Sequence, residues 1–136
     1  MTIESKTVEV NASAEKVYAF ASNFENYTRL VPSQLEGWSA TEDTCTFKVG
    51  GFMQLSLRIV EKVPCCKVCI APDGGASIPV PLNIILLIAA KGSSCDAHIN
   101  VDVQGSNPMI NMMIKPKIKE AVDRIVDQLQ YIGHGL

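Results

Sequence analysis

Apolar and polar residues alternate singly along most of this chain, and in two stretches the apolar period lengthens to three or four. The segment "SKTVEV" is rich in β-branched residues and stops at Asn11, so it predicts a strand at or near a sheet edge. Beyond it, Ser13 can accept a hydrogen bond from the first turn of an amphipathic helix in which Val17, Phe20 and Ala21 share one side. Residues 24–30 predict a second short helix, with Tyr27, Leu30 and Val31 on its apolar side and Pro32 as its stop.

After Pro32 the pattern is strand upon strand: "LEGWSA", "CTFKV", "FMQLSLRIVEKV" and "CCKVCIA", separated by "EDT", "GG" and similar turn chemistry. Met53, Leu55, Leu57 and Ile59 share one face against Gln54, Ser56 and Arg58, which predicts a sheet with one wet side. "SCDAHINVDVQ" repeats this, with Cys95, Ala97, Ile99, Val101 and Val103 inward and Asp96, His98, Asn100, Asp102 and Gln104 outward. The chain closes on a helical stripe of Ile114, Ile118, Ala121, Val122, Ile125, Leu129 and Ile132. Gly133 reads as its C-cap, and Pro116 predicts a break near Lys115 or Pro116, because proline lacks the N–H and crowds the preceding turn. The predicted assembly is α+β in a single domain over residues 1–136: an antiparallel meander of six or seven strands, two short helices after the first strand, and one long terminal helix.

The most apolar stretch, "IPVPLNIILLIAAKG", has an uninterrupted run at 84–90. A membrane helix needs about 20 apolar residues, and flanking proline and glycine favour a strand here. Leu82, Ile84, Leu86, Ile88 and Ala90 then face inward, and Asn83, Ile85, Leu87, Ala89 and Lys91 outward. Ile85 and Leu87 on an outer face predict a homodimer contact, which Leu87→Lys would test.

Twelve basic against 14 acidic residues, a formal charge of -2, offer no field for nucleic acid or anionic lipid. The N-terminus "MTIESKTVEV" lacks the charged head and apolar stretch of a secretory signal, so the expected compartment is the cytoplasm. There the five cysteines, Cys45, Cys65, Cys66, Cys69 and Cys95, should stay thiols. "PCCKVC" holds one C-x-x-C pair, Cys66 and Cys69, but no second pair completes a zinc set, and its setting in a strand lacks the helix N-terminus of a redox pair. No metal and no cofactor is expected.

The stretch "VEVNASAEKVYAFASNFENYTRLVP" resembles the opening of the SRPBCC or START-like superfamily, in which a strand leads into a-x-x-V-[WY]-x-[FL] and then an aspartate or asparagine. Ala14, Val17, Tyr18, Phe20 and Asn23 match that pattern. The motif covers about 25 residues, while the order of elements resembles the superfamily's helix-grip fold along nearly the whole chain. The superfamily includes lipid-transfer domains, polyketide cyclases and dehydrases, ligand carriers, co-chaperone domains and coenzyme Q-binding proteins. The resemblance implies an apolar cavity between the curved sheet and the C-terminal helix.

The registers above then predict the cavity residues: Phe47, Met53, Leu55, Leu57, Val68, Leu86, Ala97, Ile99, Met109, Met113, Ile118 and Val122. Cys45, Cys66 and Cys95 are the reactive side chains among the inward positions. Three functions fit. The first is binding of a small hydrophobic molecule, such as a lipid, isoprenoid or polyketide, without catalysis. The second is a cyclase or dehydrase, for which His98, Asp96 or Cys95 would have to reach the cavity through a shift of register. The third is a protein-interaction module with a collapsed core. Trp38 and Tyr27 are candidate lid aromatics or plain half-buried packing, and Met109, Met112 and Met113 are either core filling or an adaptable mouth.

Overall fold

The computed structural model describes residues 1–30, 35–49, 53–64, 66–73, 82–103 and 108–136, without the side chains of Leu35, Val49, Met53, Ile110, Ile114 and His134. The expected stop at Pro32, the "GG" turn and Cys65 lie outside the described residues. One antiparallel sheet holds β1 (Thr2–Glu4), β2 (Val8–Val10), β3 (Leu35–Ala40), β4 (Thr44–Val49), β5 (Met53–Val63), β6 (Lys67–Pro72), β7 (Leu82–Lys91) and β8 (Ser94–Val103). Its order is β1-β8-β7-β6-β5-β4-β3, with β2 also on β8. Helix α1 (Ala14–Ala21) and a 3-10 turn (Phe24–Arg29) join β2 to β3, and α2 (Pro108–Ile132) follows β8. This is the helix-grip arrangement.

The expected edge strand "SKTVEV" forms only at Val8–Val10, and a further short strand, β1, precedes it. β1 pairs with β8 at Asn100–Asp102 and β2 at Cys95–Ala97, and Ser5 bridges the gap between them. Ser5 donates its backbone N–H to the Ile99 carbonyl at 2.8 Å and accepts the Ile99 N–H on Oγ at 2.8 Å. A side-chain oxygen thus stands in for a missing ladder carbonyl, which is why Ser5 is the buried polar residue of the described chain.

Ser13 caps α1 as expected, and Asn23 supplies a second cap that was not foreseen. Ser13 Oγ accepts from the Lys16 N–H at 3.3 Å, and Asn23 Oδ1 accepts from the Glu25 N–H at 2.9 Å. The asparagine of the opening motif therefore starts the 3-10 turn, satisfying an orphan donor of its first residues.

β3 contains the irregularity that matters most for the interior. Glu36 pairs with Lys48 and Ser39 with Thr46, so Gly37 and Trp38 together stand opposite Phe47. Gly37 has φ +65°, a left-handed conformation open to glycine, and supports the bulge. Strict alternation from Glu36, which is exposed, would send Trp38 outward; the extra residue turns it inward. A second bulge between Ile59 and Glu61 leaves Val60 as the extra, exposed residue of β5.

Helix α2 runs unbroken through Pro116, contrary to the expected break. The carbonyl that proline leaves without a partner is that of Met112, whose side chain is 78% exposed, so water can take over the lost bond. Among the described side chains of α2, the buried ones are Val122, Val126, Leu129 and Ile132. Polar contacts fasten it to the edge of the sheet. Lys6 donates its backbone N–H to Asp123 at 2.8 Å, Lys119 Nζ donates to the Glu4 carbonyl at 2.8 Å, and Gln130 donates to the Glu9 carbonyl at 3.0 Å.

The faces of β7 follow the reading of the apolar run over most of its length. Leu82, Leu86 and Ile88 are buried and Ile84 packs against the core, whereas Ala90, expected inside, is exposed near the strand's end. Ile85 and Leu87 are half-buried on the outer face, opposite Cys69 and Asn100, and Lys67 and His98, respectively.

Candidate functional site: an apolar cavity under the aromatic cluster

Helix α2 packs closely on β1, β2 and β8, and α1 covers part of β6 and β7. Where α2 stands away from the middle of the sheet, a cavity of about 90 Å³ remains. Phe47, Cys45, Leu57, Ile70, Ile84, Leu86 and Ile99 border it from the sheet, and Val122, Ile125, Val126 and Leu129 from α2. Ala21, Phe24, Tyr27, Leu30 and Trp38 close the third side.

Four of these residues form one aromatic group. Trp38 lies 6.4 Å from Tyr27 with rings 3° from parallel, 5.8 Å from Phe47 at 26° and 6.3 Å from Phe24 edge to face. Phe24 meets Tyr27 edge to face at 5.0 Å. The 3-10 turn supplies Phe24 and Tyr27, the β3 bulge supplies Trp38, and β4 supplies Phe47. Three separate local structures are needed to assemble the group.

Of the predicted cavity residues, Phe47, Leu57, Leu86, Ile99 and Val122 border the cavity. Leu55, Val68 and Ala97 are buried in the surrounding core, and Ile118 is partly buried against it. The side chain of Met53 is outside the description. Met109 and Met113 are 72% and 63% exposed, so they are surface residues and not cavity lining. They occupy the first turns of α2, on the side of the helix away from Val122 and Val126. Cys66, expected inward, is exposed because it lies in the turn closed by its N–H to the Val63 carbonyl at 3.0 Å, before β6 begins.

The other bordering residues, among them Ala21, Phe24, Leu30, Ile70, Ile125, Val126 and Leu129, were not predicted as cavity lining. For Val126 a signal existed: it lies four residues beyond Val122 on the same helical face. No comparable signal marked Phe24, whose inward position depends on the path of the 3-10 turn.

The titratable groups on the wall are Tyr27 and Cys45. Burial pushes the Cys45 thiol up to about 12, partly offset by a hydrogen bond to the Leu57 backbone. Burial, and then the proximity of Cys45, raises Tyr27 as well. The Tyr27 hydroxyl donates to the Ala21 carbonyl at 2.8 Å. Both groups are therefore neutral near pH 7, and neither is poised as a base or an anionic nucleophile. Among the described residues His98, Asp96 and Cys95 do not border the cavity, and no group of three or more potential metal ligands occurs. No helix of the described residues is long and apolar enough to cross a membrane.

Solved structures with the same architecture cover nearly the whole chain. A START superfamily protein from Mycobacterium smegmatis superimposes with a TM-score of 0.75 at 18% identity, covering 98% of this chain and 97% of that one. XoxI from Bacillus cereus gives a TM-score of 0.75 at 9% identity, covering 97% and 94%. The Aha1 dimer from Colwellia psychrerythraea gives 0.65 at 12% identity, covering 98% and 96%. These likenesses establish the fold. Among curated proteins none matches the chain. Residues 10–130 match the family described as polyketide cyclase / dehydrase and lipid transport, so the chain belongs to that START-like family.

Proposed function

We propose that this protein binds a small hydrophobic molecule between its sheet and α2 and holds it by shape and apolar contact. The observation that carries this reading is the wall itself. Every described side chain on it is aliphatic or aromatic except the Cys45 thiol, and none carries a charge. A wall of this kind gains free energy by excluding water, at about 25 cal/mol per Å² of apolar surface covered. What weighs against catalysis is the state of Tyr27 and Cys45, both kept protonated by burial.

The size of the cavity sharpens the reading. Pockets for drug-sized ligands are about 300–1,000 Å³, so a cavity of about 90 Å³ accepts only a small group without movement of its walls. A longer chain would have to part α2 from the middle strands, where the two already stand apart. Native mass spectrometry of the purified protein, followed by extraction of the denatured sample, tests the proposal. A hydrophobic compound released only on denaturation is the expected result. Protein from several hosts that is always free of small molecules, and takes up none when incubated with fatty acids or isoprenoid alcohols, would overturn it.

A further inference from the structure

Met109, Met112 and Met113 are three of the five large apolar side chains that stand well exposed among the described residues, and all three fall on the first turns of α2. With the exposed Pro116 they recur at i, i+3, i+4 and i+7, the spacing that makes one face of a helix. At about 100° per residue this face points away from Val122 and Val126, so α2 carries a second apolar strip, turned to solvent. Packing on the sheet does not use such a strip, and contiguous apolar patches left exposed mark surfaces that meet a partner.

The surrounding charges indicate which partner. No acidic residue stands between Asp102 and Glu120, a stretch that holds Lys115, Lys117 and Lys119. Lys119 is engaged with Asp123 and with the Glu4 carbonyl. Lys115 and Lys117 are exposed, flank the strip on its two sides, and join no ion pair among the described residues. The overall charge of -2 thus conceals a locally basic and apolar end of α2.

Size narrows the choice. The strip is about 10 Å long at 1.5 Å of rise per residue, and past Pro116 the same side carries Glu120, Asp123 and Asp127. A stable protein interface covers about 800 Å² of matched surface on each partner, which a strip bounded this soon by acidic residues does not supply. A bilayer requires no matched surface. Each methionine that enters it gains separately, and flanking lysines reach the headgroups with their stems along the apolar layer.

We propose that the first turns of α2 dock this protein on anionic lipid bilayers, with Met109, Met112 and Met113 at the boundary of headgroups and acyl chains and Lys115 and Lys117 against the anionic headgroups. Glu120, Asp123 and Asp127 keep the later turns off the surface, so the helix enters obliquely, N-terminal end first. The attachment is peripheral, and the opposite face of α2 stays on the cavity. This surface goes beyond the binding function proposed above and does not depend on it.

Co-sedimentation at millimolar lipid, with vesicles of phosphatidylcholine alone or with about one-third phosphatidylserine, tests the proposal. The native chain is expected to pellet with the phosphatidylserine vesicles, far less with phosphatidylcholine alone, and to be released by high salt. Lys115→Gln and Lys117→Gln should each weaken binding about fivefold, and Met112→Gln with Met113→Gln about tenfold or more. Tyr131→Gln, an exposed position at the other end of α2, should stay within about twofold of the native chain. In native protein with labelled methionine methyl groups, the signals of Met109, Met112 and Met113 should broaden on adding phosphatidylserine vesicles while that of Met1 does not, a readout that needs no substitution.

A native chain that stays in solution with phosphatidylserine vesicles overturns the proposal. So does binding that survives the methionine and lysine substitutions unchanged. Self-association in sedimentation velocity that Met112→Gln with Met113→Gln abolishes, without vesicle binding, would assign the strip to a second copy of the chain and overturn it as well. Vesicles read the outer face of α2 and native mass spectrometry reads the cavity, so either proposal can fail while the other stands.

Discussion

Gly133 packs so closely on Val10 that a Cβ atom added to it would stand 2.3 Å from Val10 Cγ1. The glycine follows the last residue of α2, and Val10 is a fully buried residue of β2. Its role is therefore close approach of helix to sheet, which holds the C-terminal end of α2 against β2 while earlier turns of the same face, at Val122, Val126 and Leu129, border the cavity.

Gly133→Ala is accordingly expected to destabilise the protein by about 1–3 kcal/mol, the usual cost of overpacking a core. Gly135→Ala, with open space around its Cα, is expected to change stability little. Urea unfolding of both variants checks this. A cycle with Val10→Ala should show coupling, the Gly133 substitution costing less once Cγ1 is gone.

Gly37→Ala should act by a different route. Nothing lies within 4 Å of the added Cβ, so the cost is backbone strain at φ +65°, roughly 1–2 kcal/mol. Gly37→Asn should cost less, since asparagine tolerates this conformation. If the strain is relieved by losing the bulge, Trp38 turns outward and its fluorescence emission shifts to the red. Emission spectra of the two variants therefore test whether the bulge orients the tryptophan.

Ser5→Ala removes the acceptor of the buried Ile99 N–H. The expected loss is about 1–3 kcal/mol, the cost of an unpaired buried donor. Amide hydrogen exchange at Ile99 should accelerate along with the fall in stability, while exchange at Leu57 in the centre of the sheet changes only through global unfolding.

The alkaline limb of stability should carry the mark of Cys45. Its thiol is raised from an ordinary 9.0 to about 12 in the folded chain. A folded pKa above the unfolded one means that the stabilisation is complete below about pH 9 and is lost as pH rises towards 12. Tyr27 is raised as well and acts in the same sense. Urea midpoints should fall through this window. Cys45→Ala should be less stable at pH 7, from the space it leaves, yet show a shallower decline above pH 9. An equally steep decline would exclude Cys45 as its source.

How much of this was legible beforehand follows from which physical rule each residue obeys. Ser13, Val17, Phe20 and the inward members of β5 and β8 obey local periodicity and capping, so their positions could be read along the chain. The division of β7 into faces could be read in the same way, and it turned the apolar run from a candidate membrane anchor into a strand. Met109 and Met113 are apolar in type, but the helical period places them on the face away from Val122, so residue type read without its setting misleads there. Cys66 illustrates the same limit at a strand end, where alternation continues on paper after the ladder has stopped.

By itself, then, the amino-acid order determined the elements, their sequence and the apolar character of the inner face, because these depend on neighbours within a few positions. The tertiary structure decided what lines the cavity. Trp38 faces inward through a bulge that needs β4 as its partner, Phe24 and Tyr27 reach it through the path of the 3-10 turn, and α2 lies where Gly133 meets Val10. Each of these rests on contacts between segments far apart in the chain, whose geometry no local period encodes.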